Sequence, residues 1–106
     1  MPDTDEGYRE MRKTIWTTEG RVTAGRTVVV VADVRQGSVS VEEETSTSSQ
    51  VVYCRTSELM DALNVHTDEE LMNELEKRFG NECGYDIARK FMEDNNIEFD
   101  WWGGSN

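Results

Sequence analysis

The chain has little of what catalysis and metal binding usually require. It holds one histidine, His66, and two cysteines, Cys54 and Cys83, in 106 residues. Two thiols are too few for a disulfide framework, and their spacing matches no structural metal site. They read as two small buried or half-buried side chains, and bridging them would need an oxidising compartment that the sequence does not indicate. Long apolar runs are also missing. The longest is Val28 to Ala32, far short of the roughly 18 residues that span a bilayer. The first twenty residues are acidic and polar, without the basic start and apolar stretch of a secretory signal. A cytoplasmic, soluble protein is the expectation.

Positive charge is scarce as well. Lysine appears three times and arginine eight times against 22 acids, for a formal net charge of −11. The imbalance is uneven: residues 57–106 hold thirteen acids and four bases, whereas residues 1–56 are nearly balanced. Such a chain repels nucleic acid and anionic membranes and steers basic partners toward itself. Selection for solubility, or for life in high salt, would produce the same surplus.

Length and composition imply one domain with one modest core. Residues 1–12 read as an acidic N-terminal tail containing the only proline, and residues 13–106 as the domain. From Thr14 to Arg55 the segments TIWTT, TVVVVADV, SVSVEEET and QVVYC are β-branched or alternating, with short turn signals between them. Consecutive strands joined so tightly pair antiparallel. Val28 to Val31 put valine on both faces, the mark of a central strand covered on both sides. Cover for its second face would come from Trp16, from Trp102 or from another subunit.

After Ser57 the apolar period becomes helical. SELMDALNV directs Leu59, Met60 and Leu63 inward. HTDEELMNELEKRFGN opens with a capping box of Thr67 and Glu70, presents Leu71, Met72, Leu75 and Phe79 as a stripe, and ends at Gly80 read as a left-handed residue. Asp68, Glu69 and Glu70 occupy its first turn, where the helix dipole favours acids. ECGYDIARKFMEDNN suggests a third helix with a spine of Cys83, Ile87 and Phe91, and outer pairs Asp86–Lys90 and Arg89–Glu93. IEFDW then alternates strictly, so Ile97, Phe99 and Trp101 share one face while Glu98, Asp100 and Trp102 share the other. The expected architecture is α+β: a four- to five-stranded, mainly antiparallel sheet with two or three helices packed on one face.

No motif in the chain carries catalytic, cofactor-binding or metal-binding chemistry. His66 precedes a helix cap, which suits a flanking role better than that of a general base. Glu42, Glu43 and Glu44 lie on a strand, so only Glu42 and Glu44 share a face, and a charge-guarded edge strand accounts for them. GRVTAGR lacks the spacing of a phosphate-binding loop and leads into no helix. Arg21, Arg26 and Arg35, with Trp16 and Tyr53, could touch nucleic acid, but the net charge opposes that as the main role.

The expectation is therefore a non-enzymatic acidic protein-binding module acting on a basic partner surface, such as that of a nucleic-acid-binding protein. An inhibitor, an immunity-type protein or a nucleic-acid mimic, of the kind phages and mobile elements encode, would take this form. The expected partner-binding residues are Glu69, Glu76, Glu82, Asp94, Glu98, Asp100 and Trp102, with Trp101 buried and Trp102 outward. The alternative is an assembly subunit that forms a homodimer or larger homo-oligomer through the valine-rich sheet face.

Overall fold

The segments rich in β-branched residues become strands and the segments with helical period become helices. The computed structural model describes residues 11–18 and 27–105. Its elements run β1 (Met11–Thr17), β2 (Val28–Val34), β3 (Ser38–Thr45), β4 (Ser48–Arg55), α1 (Thr56–Leu63), α2 (Asp68–Phe79), α3 (Gly84–Asp94) and β5 (Phe99–Ser105). The strands form one antiparallel sheet in the order β1-β2-β3-β4-β5. The fold is thus α+β, a five-stranded open sheet with three helices. Residues 1–10 of the expected tail lie outside the described residues, and Met11 and Arg12 open β1. No helix among the described residues is long and apolar enough to cross a membrane.

Tight turns set the register. Gly37, at φ +94°, makes the β2–β3 turn, and Arg35 N–H bonds the Ser38 carbonyl at 2.9 Å. Thr45 Oγ1 accepts from Ser48 N–H at 3.0 Å and closes the β3–β4 turn. The resulting rows run across the sheet. Met11, Val34, Val39, Cys54 and Phe99 align, as do Lys13, Ala32, Val41, Val52 and Trp101. These rows face the helices, which add Leu59, Leu63, Leu71, Leu75, Phe79, Tyr85, Ala88 and Met92 to a single core. α2 lies over β1 and β2, whereas α1 and α3 lie over β3 and β4.

The capping box forms with a shifted partner. Thr67 Oγ1 accepts from Glu70 N–H at 3.1 Å, while the Glu70 carboxylate accepts from His66 N–H at 2.8 Å. Gly80 is not left-handed; its φ is −82°. Glycine is needed there because a Cβ would run into the Glu76 carbonyl oxygen and come within 2.9 Å of the Ile15 carbonyl oxygen.

Three further expectations are corrected. β3 is the middle strand and not an edge, so Glu42 to Glu44 guard no rim; Glu43 is buried on the helix side. α3 buries Gly84, Tyr85, Ala88 and Met92 in place of the Cys83–Ile87–Phe91 spine. Cys83 and Ile87 are exposed, and Phe91 sits half-buried, edge-on to Phe79 with ring centroids 6.0 Å apart. The helix is turned by about one residue, or ~100°, because Gly84 lets it approach Val30 closely and Tyr85 enters the core whole. Finally, Lys90 reaches Asp94 at 3.6 Å, and Arg89 lies over the Trp101 ring.

Candidate functional site

β5 is paired on one side only. β4 bonds its inner edge, and no other strand among the described residues bonds its outer edge. The alternation expected for IEFDW holds here: Trp101 aligns with Val52 on the helix side and Trp102 with Val51 on the open side. Burial does not follow from it. Trp101 is 51% exposed and Trp102 58% exposed, so the expectation of a buried Trp101 is overturned. The main helix contacts are with β1 to β4, which leaves the Trp101 end of the last strand only partly covered. Alternation assigns a face; it cannot tell whether that face is roofed. The Arg89 guanidinium lies over Trp101, 4.6 Å from the ring centroid.

On the open side, Tyr53 aligns with Asp100 and is 39% exposed, one step diagonally from Trp102. Aromatic side chains reach such diagonal neighbours. A cleft of about 390 Å³ lies at this end of the sheet, lined by Ser38, Tyr53, Arg55, Glu98, Phe99 and Asp100 among others. A second cleft of about 320 Å³ brings Glu58 and Asp61 of α1 beside Asn95, Asn96 and Ile97. The acidic run from Asp94 through Glu98 to Asp100 is thereby extended by two α1 carboxylates.

The seven expected partner-binding residues fall into two groups. Glu98, Asp100 and Trp102 lie on β5 or the segment leading into it, and Asp94 ends α3 just before that segment, where it faces Lys90. Glu69 and Glu76 lie on α2, above the far edge of the sheet, and Glu82 follows α2. Glu76 accepts a 2.7 Å hydrogen bond from Lys13 Nζ, so part of its charge is already matched. Four strand spacings separate β1 from β5, about 19 Å. Trp101, Tyr53, Glu58 and Asp61 belong with the β5 group and were not expected there. Tyr53 was readable only as part of a strand, since its place beside Trp102 needs the β4–β5 pairing.

The valine strand is covered differently from either expected lid. Trp16 packs on the helix side, and Trp102 lies three strands away from β2. On the open side Val31 is 7% exposed and Asp33 5%. Arg12 crosses β2 here, bonding Asp33 Oδ2 at 3.0 Å and Glu42 Oε1 at 3.1 Å. Arg35 grips Asp33 from the other side with two bonds of 3.2 Å.

Other clusters carry less chemistry. A cleft of about 600 Å³ between the β2–β3 turn and α1 contains Arg35, Arg55, Ser57 and Asp68. Its arginines are engaged by Asp33 and, at 3.9 Å, by Glu58. Burial, with a smaller contribution from Glu58, pushes the Cys54 thiol up to about 12, which disarms it as a nucleophile. His66 is exposed, and no group of three metal-ligating side chains occurs among the described residues. The chain matches no protein-family model, no curated protein and no solved structure.

Proposed function

We propose that this chain is a protein-binding module whose β5 edge engages a basic partner. The observation that carries the reading is the pair of half-exposed indoles, Trp101 and Trp102, on an edge strand beside Glu98 and Asp100. Tryptophan and tyrosine dominate binding hot spots, and side chains this apolar rarely line a rim without use. The net charge of −11 supplies the long-range attraction. In this reading Glu69, Glu76 and Glu82 steer the encounter from a distance, while the β5 group makes the contact. Inhibitor, immunity-type and nucleic-acid-mimicking roles all share this arrangement. The alternative of an assembly subunit joined through the valine face has less support, because Val31 and Asp33 are already buried within one chain.

The test is affinity capture with the intact chain and two variants as bait. Trp102→Ala with Asp100→Lys should abolish retention of a partner that the unchanged chain holds. Glu69→Lys, Glu76→Lys and Glu82→Lys together should slow association and flatten its salt dependence without abolishing it. Retention that survives the β5 changes but is lost with the α2 changes would transfer the site to the other edge.

A further inference from the structure

Resting on the partner-binding reading and specifying its mode, we propose that β5 accepts an added strand. The occupant is an extended segment of the partner that alternates apolar and basic residues. Four observations converge on this.

The two rims of the sheet are built in opposite ways. β1 carries Arg12 and Lys13 and an irregular register between Thr14 and Trp16, the devices that keep an edge from pairing with another chain. β5 reads FDWWGGS, with neither a basic residue nor proline, and it pairs with β4 without a break from Phe99 to Ser105. Its seven residues are enough for about three or four outward ladder bonds. Gly103 is exposed, so the backbone there is open to a second chain.

The two faces of β5 then define the incoming strand. On the helix side Phe99 and Trp101 offer an apolar surface, with the Arg89 guanidinium above Trp101. A cation on that side of the partner would meet Arg89, so apolar residues belong there. On the open side Asp100, Trp102 and Tyr53 offer a carboxylate and two aromatic faces, which suit lysine or arginine. Alternating apolar and basic residues satisfy both sides at once, since strand side chains alternate. Charge also argues against a second copy of the chain. Self-pairing would bring together two halves that each hold thirteen acids and four bases, and would add no cation to Glu98 and Asp100 beyond the Arg55 that shares their cleft.

The probe is a peptide of alternating valine and lysine, matched to β5 in length and capped at both ends. Binding is followed by tryptophan fluorescence. In a strand, the N–H groups of alternate residues point to the same side. Two further peptides, one N-methylated at every valine and the other at every lysine, therefore each block one lateral edge. Strand addition predicts that one methylated peptide binds roughly 10- to 100-fold more weakly than the parent while the other binds like it, from the loss of two or three hydrogen bonds. An isomer with the valines and lysines in separate blocks should also bind more weakly. Equal binding by both methylated peptides would overturn strand addition while leaving a side-chain-mediated partner site intact. Failure of the parent peptide to bind would overturn it too, whether or not affinity capture still retains a partner. Sedimentation showing that β5 pairs with a second copy at physiological ionic strength would overturn the proposed occupant.

Discussion

Replacing Gly84 with alanine tests the helix placement on which the β5 site depends. By local rules the change should help: alanine exceeds glycine by about 1 kcal/mol within a helix and restricts the unfolded chain. The structure gives the opposite sign. A Cβ at Gly84 would overlap the Phe79 carbonyl oxygen and come within 3.0 Å of Val30 Cγ1. The first neighbour is backbone, so relief requires the α2–α3 connection to move. Overpacking costs about 1–3 kcal/mol, and a clash with backbone belongs at the top of that range. Subtracting the local gain leaves a destabilisation of about 2 kcal/mol, a fall in Tm of roughly 10 °C for a domain this size. Urea unfolding followed by far-ultraviolet circular dichroism reads the first value, provided the slope is unchanged. A shift of α3 would also unseat Arg89 from Trp101, so native-state tryptophan emission should change with it. A midpoint equal to or above that of the unchanged chain would refute the close approach of α3 to β2.

Trp101→Ala should cost about 1–2 kcal/mol by urea unfolding, since the side chain is only half buried and its cation–π contact is partly solvated. A loss as large as that of a packed core tryptophan would place it under a cover. Asp33→Asn should cost about 1–2 kcal/mol, less in high salt, because Arg12 and Arg35 are half exposed and water replaces part of what they lose. Cys83 should react with a thiol reagent in the folded protein at about pH 8, whereas Cys54 should react only after unfolding. The raised Cys54 pKa also has a sign in stability. Between the ordinary value of 9.0 and about 12 the unfolded chain loses this proton and the folded chain keeps it, so stability falls as pH rises through that window. Unfolding midpoints across the window, with Cys54→Ala as reference, check the slope.

Most of the fold was legible because it depends on local rules. The meander follows from short turns between β-branched runs, and α2 from a cap and a stripe that agree with each other. What could not be read depends on tertiary fit. In α3, residues 83, 87 and 91 make as good an apolar stripe as 85, 88 and 92, and the tyrosine hydroxyl disguised the second. Only the contact of Gly84 with Val30 chooses between them. Glu42 to Glu44 looked like an edge because exposed charge suits a rim. Yet β3 is central, and Arg12 from a distant strand matches Glu42. The candidate site was half legible. Asp100 and Trp102 follow from alternation, but Trp101 is surface because the main helix contacts are with β1 to β4, and Tyr53 joins the site only through the β4–β5 pairing on the open face.

An unguarded aromatic edge should promote self-association, and the distribution of charge supplies a guard that the strand itself lacks. β1 is protected by cations and a bulge; β5 is protected by the repulsion between copies that each carry −11. Unlike lysines or a bulge, that guard is selective, because it excludes acidic chains and admits basic ones. It is also screened by salt, with a Debye length of about 8 Å at physiological ionic strength and about 3 Å at 1 M. The two kinds of association should therefore respond to salt in opposite directions. Self-association, measured by sedimentation, should rise as salt is added and vanish in Trp102→Ala. Affinity for the valine–lysine peptide should fall over the same range. If the acids served solubility alone, peptide affinity would not change with salt. If self-association instead weakened with salt, or ignored Trp102, copies would be meeting through another surface, and β5 would need a guard other than charge.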